Sequence, residues 1–450
     1  LSSPETPKAP ATAGHLLSIL GIGFGIAGAV GGSIGAGILR TPGLVASQLG
    51  SAPLILGAWA IGGLYVLLGA IAVAELGAAL PFAGGWTVYA RRALGDQAGF
   101  AVGWIDWVSH CAGLAWVAVT IGAYTLNLFP SLPLGSASVA LLVLLLFALI
   151  QLAGLEAGSL SQQLLSLVKA LAIVALVAAC LVWAPAHGAT TSEAVPSGGA
   201  LAVASVFALQ AVITTYDGWQ SPIYFAEEFS EPARDLPRSL IGGIVVVIGL
   251  VLLVNLALLR VLPMAELAAS DLPLAKAAQI LFGPVGGVVI LVLALICSLG
   301  LVNTSIMCAP RILFGLSREG LFLPALAQVR PNGTPAIALG ATVLLSGLLV
   351  LFADFDRLLG VASLLYVLLY LCGMVCLLVL RRKEPLLERP FKPSLAPWAA
   401  GVVGLGSFAY LMGAALGDTT NSLLALGLIA LSLPLHWAQR LWGPTLASGG

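Results

Sequence analysis

The sequence predicts an all-α integral membrane protein with twelve transmembrane helices. Three observations carry that reading. Of the 450 residues, 60% are hydrophobic and only 8% are charged, where a soluble domain is about a quarter charged. Apolar runs able to span a bilayer, about 20 residues each, recur from one end of the chain to the other. Strand-type alternation is absent, which excludes a β-barrel. Lys+Arg and Asp+Glu are both 19, so the formal net charge is zero. A soluble chain of this size has no core able to hide so much apolar surface. Disulfide scaffolds, nucleic-acid binders and disordered chains are excluded with it.

The apolar segments fall at roughly 16–39, 53–80, 99–129, 136–154, 160–184, 200–227, 239–262, 284–309, 335–353, 357–380, 397–417 and 421–441. Short turn-rich loops separate them. The expected organisation is a tail at 1–15, five helices in 16–184, five in 200–380, two in 397–441 and a tail at 442–450. The 53 glycines suit helices packed closely in a membrane. Cys111, Cys180, Cys297, Cys308, Cys372 and Cys376 lie inside apolar runs without metal-ligand spacing and read as reduced packing residues. Neither a cofactor nor a metal is expected. Glu5 and three prolines precede a first run long enough to span, so no signal peptide is expected; Leu1 in place of Met points to a processed end. With a cytoplasmic N-terminus, Arg40, Arg260, Lys276 and Arg357 fall outside, Lys169 falls within the membrane, and every other Lys and Arg falls inside. The positive-inside rule then places both termini in the cytoplasm.

Two segments are interrupted. The first carries four glycines within 31–37, in Gly31-Gly32-Ser33-Ile34-Gly35-Ala36-Gly37; the sixth carries Thr214-Thr215-Tyr216-Asp217-Gly218-Trp219-Gln220. Glycine is costly inside a helix. Unpaired backbone in lipid is costlier, and survives only where it lines a protein cavity. The first and sixth segments hold matching places in the two groups of five. Interrupted helices at matching places of two repeats point to a transporter's binding site. A close helix-packing face of small residues is the alternative for the first segment.

At these residues the chain resembles the amino acid–polyamine–organocation transporters. The resemblance is carried by Gly32-Ser33-Ile34-Gly35-Ala36-Gly37-Ile38, by Ala74-Glu75-Leu76-Gly77 with Pro81, Gly84-Gly85 and Tyr89, by Tyr216-Asp217-Gly218-Trp219 with Glu227-Glu228 and Pro232–Arg238, and by Asn303, Pro310-Arg311-Ile312-Leu313 and Arg318-Glu319-Gly320. It covers nearly the whole chain, and within the family the chain resembles the L-type amino acid transporter branch. It implies a 5+5 inverted-repeat (LeuT-type) core with helices 1 and 6 broken, plus two extra helices. It also implies alternating-access transport of amino acids or amines across the plasma membrane, here a bacterial inner membrane.

The site follows from the same pattern. A half-helix N-terminus suits a carboxylate, and unwound carbonyls suit an ammonium. The resemblance places the substrate carboxylate at the amides of Gly35, Ala36 and Gly37, and the ammonium at carbonyls of Ser33, Thr214, Thr215 and Asp217. Ala36 replaces the Ser of many relatives, and Thr214 replaces a bulky aromatic that covers the substrate. Asp217 either faces the cavity, favouring a cationic substrate, or caps a half-helix starting at Trp219. Trp219 and Tyr216 either line the pocket or pack between helices. Small or medium neutral L-amino acids are the expected substrates, with a cationic amino acid or polyamine drawn by Asp217 as the alternative.

Lys169 sits among apolar neighbours about ten residues into its helix, roughly 15 Å deep. Desolvation disfavours the charged ammonium, which makes Lys169 a candidate proton carrier; snorkelling to the interface is the alternative. The resemblance places it between helices 1 and 8, near Gly31 and Ser298, where sodium-coupled relatives hold their ion. Protons are thus a candidate co-substrate, for symport or with a fixed charge in an exchanger. Glu227, Glu228, Arg234, Asp235 and Arg238 are expected to pair with Arg91, Arg92 and Arg311. Asp106 reads as an interfacial helix-start residue, His110 as a core histidine, and Glu75 as part of the cytoplasmic charge network. No nucleophile–base pair or phosphate loop appears, so an enzyme is not expected. A channel lacks its ring of polar residues, and a major facilitator carrier lacks its long basic central loop. Residues 128–136 contain no Cys, so no disulfide-linked heavy chain is expected.

Overall fold

The computed structural model describes residues 15–35, 37–183, 196–353 and 355–447, which are helical almost throughout and contain no strand. In chain order the helices are α1 (Ile22–Ser33), α2 (Gly37–Leu49), α3 (Ala52–Ala79), α4 (Trp86–Leu94), α5 (Asp96–Leu128), α6 (Ser136–Leu152), α7 (Leu155–Trp183) and α8 (Gly199–Thr215). A 3-10 helix, Ser221–Glu228, comes next. It is followed by α9 (Pro232–Val261), α10 (Met264–Ala268), α11 (Pro273–Phe282), α12 (Gly286–Arg318), α13 (Ala336–Phe352), α14 (Phe355–Lys383), α15 (Ala396–Gly417) and α16 (Thr419–Ala447).

Eight described stretches are long and apolar enough to cross a membrane, and nine if α1 and α2 are one bent span. Three more helices, α6, α8 and α13, are apolar but shorter. The protein is a multi-pass membrane protein. Its outer surface is accordingly apolar: Trp398, Leu405 and Leu416 of α15 are 77%, 71% and 83% exposed. Inside, α3 packs along α9, α5 along α12, and α1 against α7, α9 and α12. Each apolar segment read from sequence falls on a helix, but three bounds differ by seven residues or more: the first, broken span continues to Leu49 rather than 39, α9 starts at Pro232 rather than 239, and α12 runs to Arg318 rather than 309. The amphipathic α4 and the short α10 carry no spanning-length apolar run, and α11 leads directly into α12 within one apolar stretch, Pro273–Arg318.

Both expected interruptions are present. α1 ends at Ser33, where Ile34 leaves helical geometry (φ −89°, ψ 86°), and α1 and α2 meet at a 52° bend. α8 ends at Thr215. The chain then turns through Gly218 (φ +99°) into the eight-residue 3-10 helix, an uncommon length for that geometry. The two breaks touch backbone to backbone. A Cβ added at Gly32 would lie 2.4 Å from the Gly218 carbonyl oxygen, and one added at Gly218 would lie 2.4 Å from the Gly32 carbonyl. Glycine is needed at both places so that the two unwound segments can meet.

Candidate functional site

One face of α7 supports the first break. Gln162, Ser166 and Lys169 follow helical spacing, and all three reach α1. Gln162 Nε2 and Ser166 Oγ donate to the Ala27 carbonyl at 3.1 and 2.7 Å. Lys169 Nζ donates to the carbonyls of Gly31 (3.0 Å) and Ile34 (2.9 Å). These are carbonyls at the C-terminal end of α1, which lack intrahelical donors and carry the negative end of the helix dipole. The Lys169 side chain is fully buried, so the ammonium is held by the helix end and does not reach an interface. From α12, Gly300 provides the room: a Cβ there would lie 2.7 Å from Lys169 Nζ. Ser298 is buried on the same helix, with no hydrogen bond to Lys169. Asn303 extends the network, donating to Gln162 Oε1 at 2.8 Å and accepting from Gln151 at 3.0 Å. Gln162, Ser166 and Gln151 escaped the sequence reading, although the 162/166/169 spacing marks a polar face.

A cavity of about 1060 Å³ lies against both breaks. Ser33, Gly35, Gly37, Thr214, Thr215 and Asp217 all line it. Ser33 is buried, and its hydroxyl has no hydrogen-bond partner among the described residues. The Gly35 amide turns back to the Ser33 carbonyl at 3.2 Å, and Gly37 opens α2 with the free amides of a helix start. Ala36 lies outside the described residues. Thr215 Oγ1 bonds Thr41 at 2.7 Å and the Ala211 carbonyl at 2.9 Å. Thr214 Oγ1 is tied to the Gln210 carbonyl at 2.9 Å.

Asp217 does not cap the following helix. That helix takes Gln220 at its N-cap with no side-chain bond, because the chain is still turning at Gly218. The Asp217 carboxylate instead accepts from the Tyr370 hydroxyl of α14, which also bonds Gln220 Oε1. Trp219 is not among the residues against the cavity. It is 3% exposed and stacks on Tyr370, with ring centroids 5.7 Å apart, while its other edge faces Gly69 of α3. Tyr216 is fully buried against Trp59.

The cavity reaches the end of the molecule that carries Arg40, Ser270 and Asp271. Glu266 and Lys276 pair at that same end, and the larger set of ion pairs gathers at the opposite end. Arg311 grips Glu228 with two bonds, at 2.9 and 3.0 Å, both side chains buried. Glu227 pairs with Arg318, and Glu75 with Arg381 and Arg389. Of the expected partners of the Glu227–Arg238 patch, only Arg311 is engaged. Arg91 pairs with Asp96 and Glu319, Arg92 with Glu384, and Arg234 with its helix neighbour Glu231. α4 turns Arg91 and Arg92 toward other partners, Arg91 toward Asp96 and Glu319 and Arg92 toward Glu384 at the end of α14. Asp106 also departs from expectation. Because α5 begins at Asp96, Asp106 lies ten residues inside the helix and is fully buried, bonded to Tyr224 (2.9 Å) and to His110.

Comparison with known proteins completes the picture. The amino acid permease family model matches residues 16–433. The chain is 26% identical over 429 residues to the serine/threonine exchanger SteT of Bacillus subtilis, covering 94% of this chain and 96% of that protein. It is 29% identical to the large neutral amino acids transporter small subunit 2 of Mus musculus, covering 87% of this chain and 76% of the relative. It is 28% identical to the Asc-type amino acid transporter 1 of Mus musculus, covering 85% and 73%. These relatives are transporters and not enzymes. Two interrupted helices meeting at one cavity, and a family match over nearly the whole length, lead to the same conclusion: the chain belongs to the amino acid permease family of the amino acid–polyamine–organocation superfamily.

Proposed function

We propose that this protein carries small neutral L-amino acids across the plasma membrane by alternating access, by exchange or by proton-coupled symport. The observation that carries the reading is the single cavity bordered by both helix breaks, with Ser33, Gly35, Gly37, Thr214, Thr215 and Asp217 around it. A zwitterion fits that wall. Its carboxylate meets the amides at the start of α2, and its ammonium meets unwound carbonyls and the Asp217 side. Each carbonyl keeps a second lone pair beside any turn bond it already accepts. Thr214 and the glycines leave room for a short side chain beside the two breaks. The name of the SteT relative favours serine- and threonine-sized substrates and exchange.

The architecture we propose has twelve spans. The eight long stretches, the bent α1–α2 pair and the three shorter apolar helices support that number. Two five-helix groups of opposite orientation make the core, with both termini cytoplasmic. In that orientation the larger set of ion pairs closes the cytoplasmic end, the cavity opens outward, and Lys169 takes the coupling position beside Gly31. No disulfide-linked heavy chain is part of the proposal.

The test is uptake of a labelled amino acid panel into proteoliposomes under three conditions: an inward proton gradient, a sodium gradient, and internal amino acid with no gradient. Uptake of serine, threonine or alanine driven by internal amino acid establishes exchange. Uptake driven by protons alone establishes symport. Preferential uptake of lysine, arginine or a polyamine overturns the neutral reading and gives Asp217 a direct role. Absence of any amino acid or amine flux overturns the function.

A further inference from the structure

A second buried polar cluster lies deeper along α5, away from Lys169. The Asp106 side chain is fully buried, and its Oδ2 has no hydrogen-bond partner among the described residues. Its Oδ1 accepts from the Tyr224 hydroxyl at 2.9 Å and lies 3.1 Å from His110 Nδ1. His110 Nδ1 also lies 2.9 Å from the Asp106 backbone carbonyl. A carbonyl oxygen only accepts, so Nδ1 must carry the hydrogen. That fixes the tautomer and leaves Nε2 as the atom able to gain or lose a proton. His110 lines the cavity, as do Asp217, Tyr366 and Cys308. The rings of Tyr224 and Tyr366 stand edge-on to the imidazole at 5.1 and 5.4 Å.

The groups facing His110 are therefore Asp106 on its own helix, Tyr224 from the 3-10 helix, Tyr366 from α14, Asp217 from the α8 turn and Cys308 from α12. Among the described residues, His110 is the one basic group within ion-pair distance of Asp106. Arg311, one turn along α12 from Cys308, is already committed to Glu228. A buried carboxylate with no Lys or Arg is costly unless a proton neutralises it, and the imidazole is placed to hold that proton.

We propose that His110 and Asp106 form a proton-binding site in the wall of the substrate cavity, with His110 Nε2 taking its proton from cavity water and returning it there. The pair carries one negative charge with Nε2 bare and none with Nε2 protonated. Each exchange of a proton thus alters the field at Asp217 and along the cavity wall. The effect on transport rests on the amino acid reading above; the proton binding itself does not.

Two measurements decide it. The first follows imidazole resonances of histidine-labelled protein in nanodiscs between about pH 5 and 8.5, the range in which histidine switches charge. The His110 signal is assigned by its loss in His110→Gln. It is expected to pass from the neutral Nδ1–H tautomer to the imidazolium, and in Asp106→Asn to stay neutral throughout. A His110 signal that does not change with pH, or one that behaves alike in wild type and Asp106→Asn, overturns the proposal. The second is amino acid exchange in proteoliposomes over the same range, with thermal unfolding confirming that each variant is folded. Wild-type exchange is expected to vary at least about threefold with pH, and His110→Gln to flatten the profile. A folded His110→Gln protein with the wild-type profile overturns the link to transport. If wild type exchanges no amino acid, the functional reading fails, and the resonance titration still decides the site.

Discussion

The contact between the two helix breaks can be tested by adding one carbon atom. In Gly32→Ala the new Cβ would lie 2.4 Å from the Gly218 carbonyl oxygen and 2.7 Å from Ser221 Oγ. Neither neighbour is a loose side-chain tip. The first is backbone, and the second is pinned by its own 2.6 Å bond to that same carbonyl. Bringing the pair to even a tight contact of about 3 Å separates the two unwound segments by roughly 0.6 Å, and such overpacking costs about 1–3 kcal/mol. Gly28, one turn earlier on α1 and also buried, is the matched control, because a Cβ there meets nothing within 4 Å. If the two breaks move against each other during transport, the strain appears in the cycle as well as in stability. We expect Gly32→Ala to lower exchange in proteoliposomes by roughly fivefold to a hundredfold, at about 1.4 kcal/mol per tenfold, and to lower the unfolding temperature. Gly28→Ala should stay within about twofold of wild type, with stability unchanged or raised by up to about 1 kcal/mol through helix propensity. Equal behaviour of the two variants would refute the argument that the breaks need backbone contact.

Two further outcomes follow from the polar framework. Lys169→Ala removes the donor to the Gly31 and Ile34 carbonyls, each charged hydrogen bond being worth about 1.5–3 kcal/mol. Proton-driven accumulation should be abolished, and intact pH-dependent accumulation would remove Lys169 from coupling. Arg311→Met strands Glu228 in a site where both partners are buried, so unfolding should become easier by about 3–5 kcal/mol. Arg234→Ala breaks an exposed pair with Glu231 and should change stability by less than about 1 kcal/mol; similar losses in both variants would contradict the burial argument.

Most of the fold was legible because the membrane simplifies the code. A span must be apolar over its whole length and satisfy its own backbone, so each span shows in composition alone, and exceptions such as Gly31–Gly37 and Thr214–Gln220 stand out. The same simplicity hides which way a side chain points. Trp219 could line the pocket or pack between helices by sequence alone, and the turn at Gly218 settles it against Tyr370 and α3. Rotation about one positive-φ residue is not written in the hydropathy of its neighbours. Asp106 was misjudged for a related reason. A lone acid near the start of an apolar run looks interfacial until a short helix, α4, is seen to set the true start of α5 ten residues earlier.

Both cases have a common source, which bears on how the site works. In a long apolar helix a polar residue is explained by whatever meets it across the bundle, and those partners come from far along the chain. Tyr224 lies 118 residues from Asp106, Tyr370 lies 153 from Asp217, and Gly31 lies 138 from Lys169. Each of these bonds joins one of the interrupted segments to an unbroken helix. The Lys169 bonds hold the C-terminal end of α1, the Tyr370 bond holds the turn after α8, and the Tyr224 bond holds the 3-10 helix that follows. A broken span has lost the internal hydrogen bonds that make a helix self-sufficient, so its shape is set by such cross-bundle bonds. Any movement of these segments must therefore exchange or release them, and under the proposed function the titratable members, Lys169, Asp217 and Asp106 with His110, are where a proton would bias that exchange.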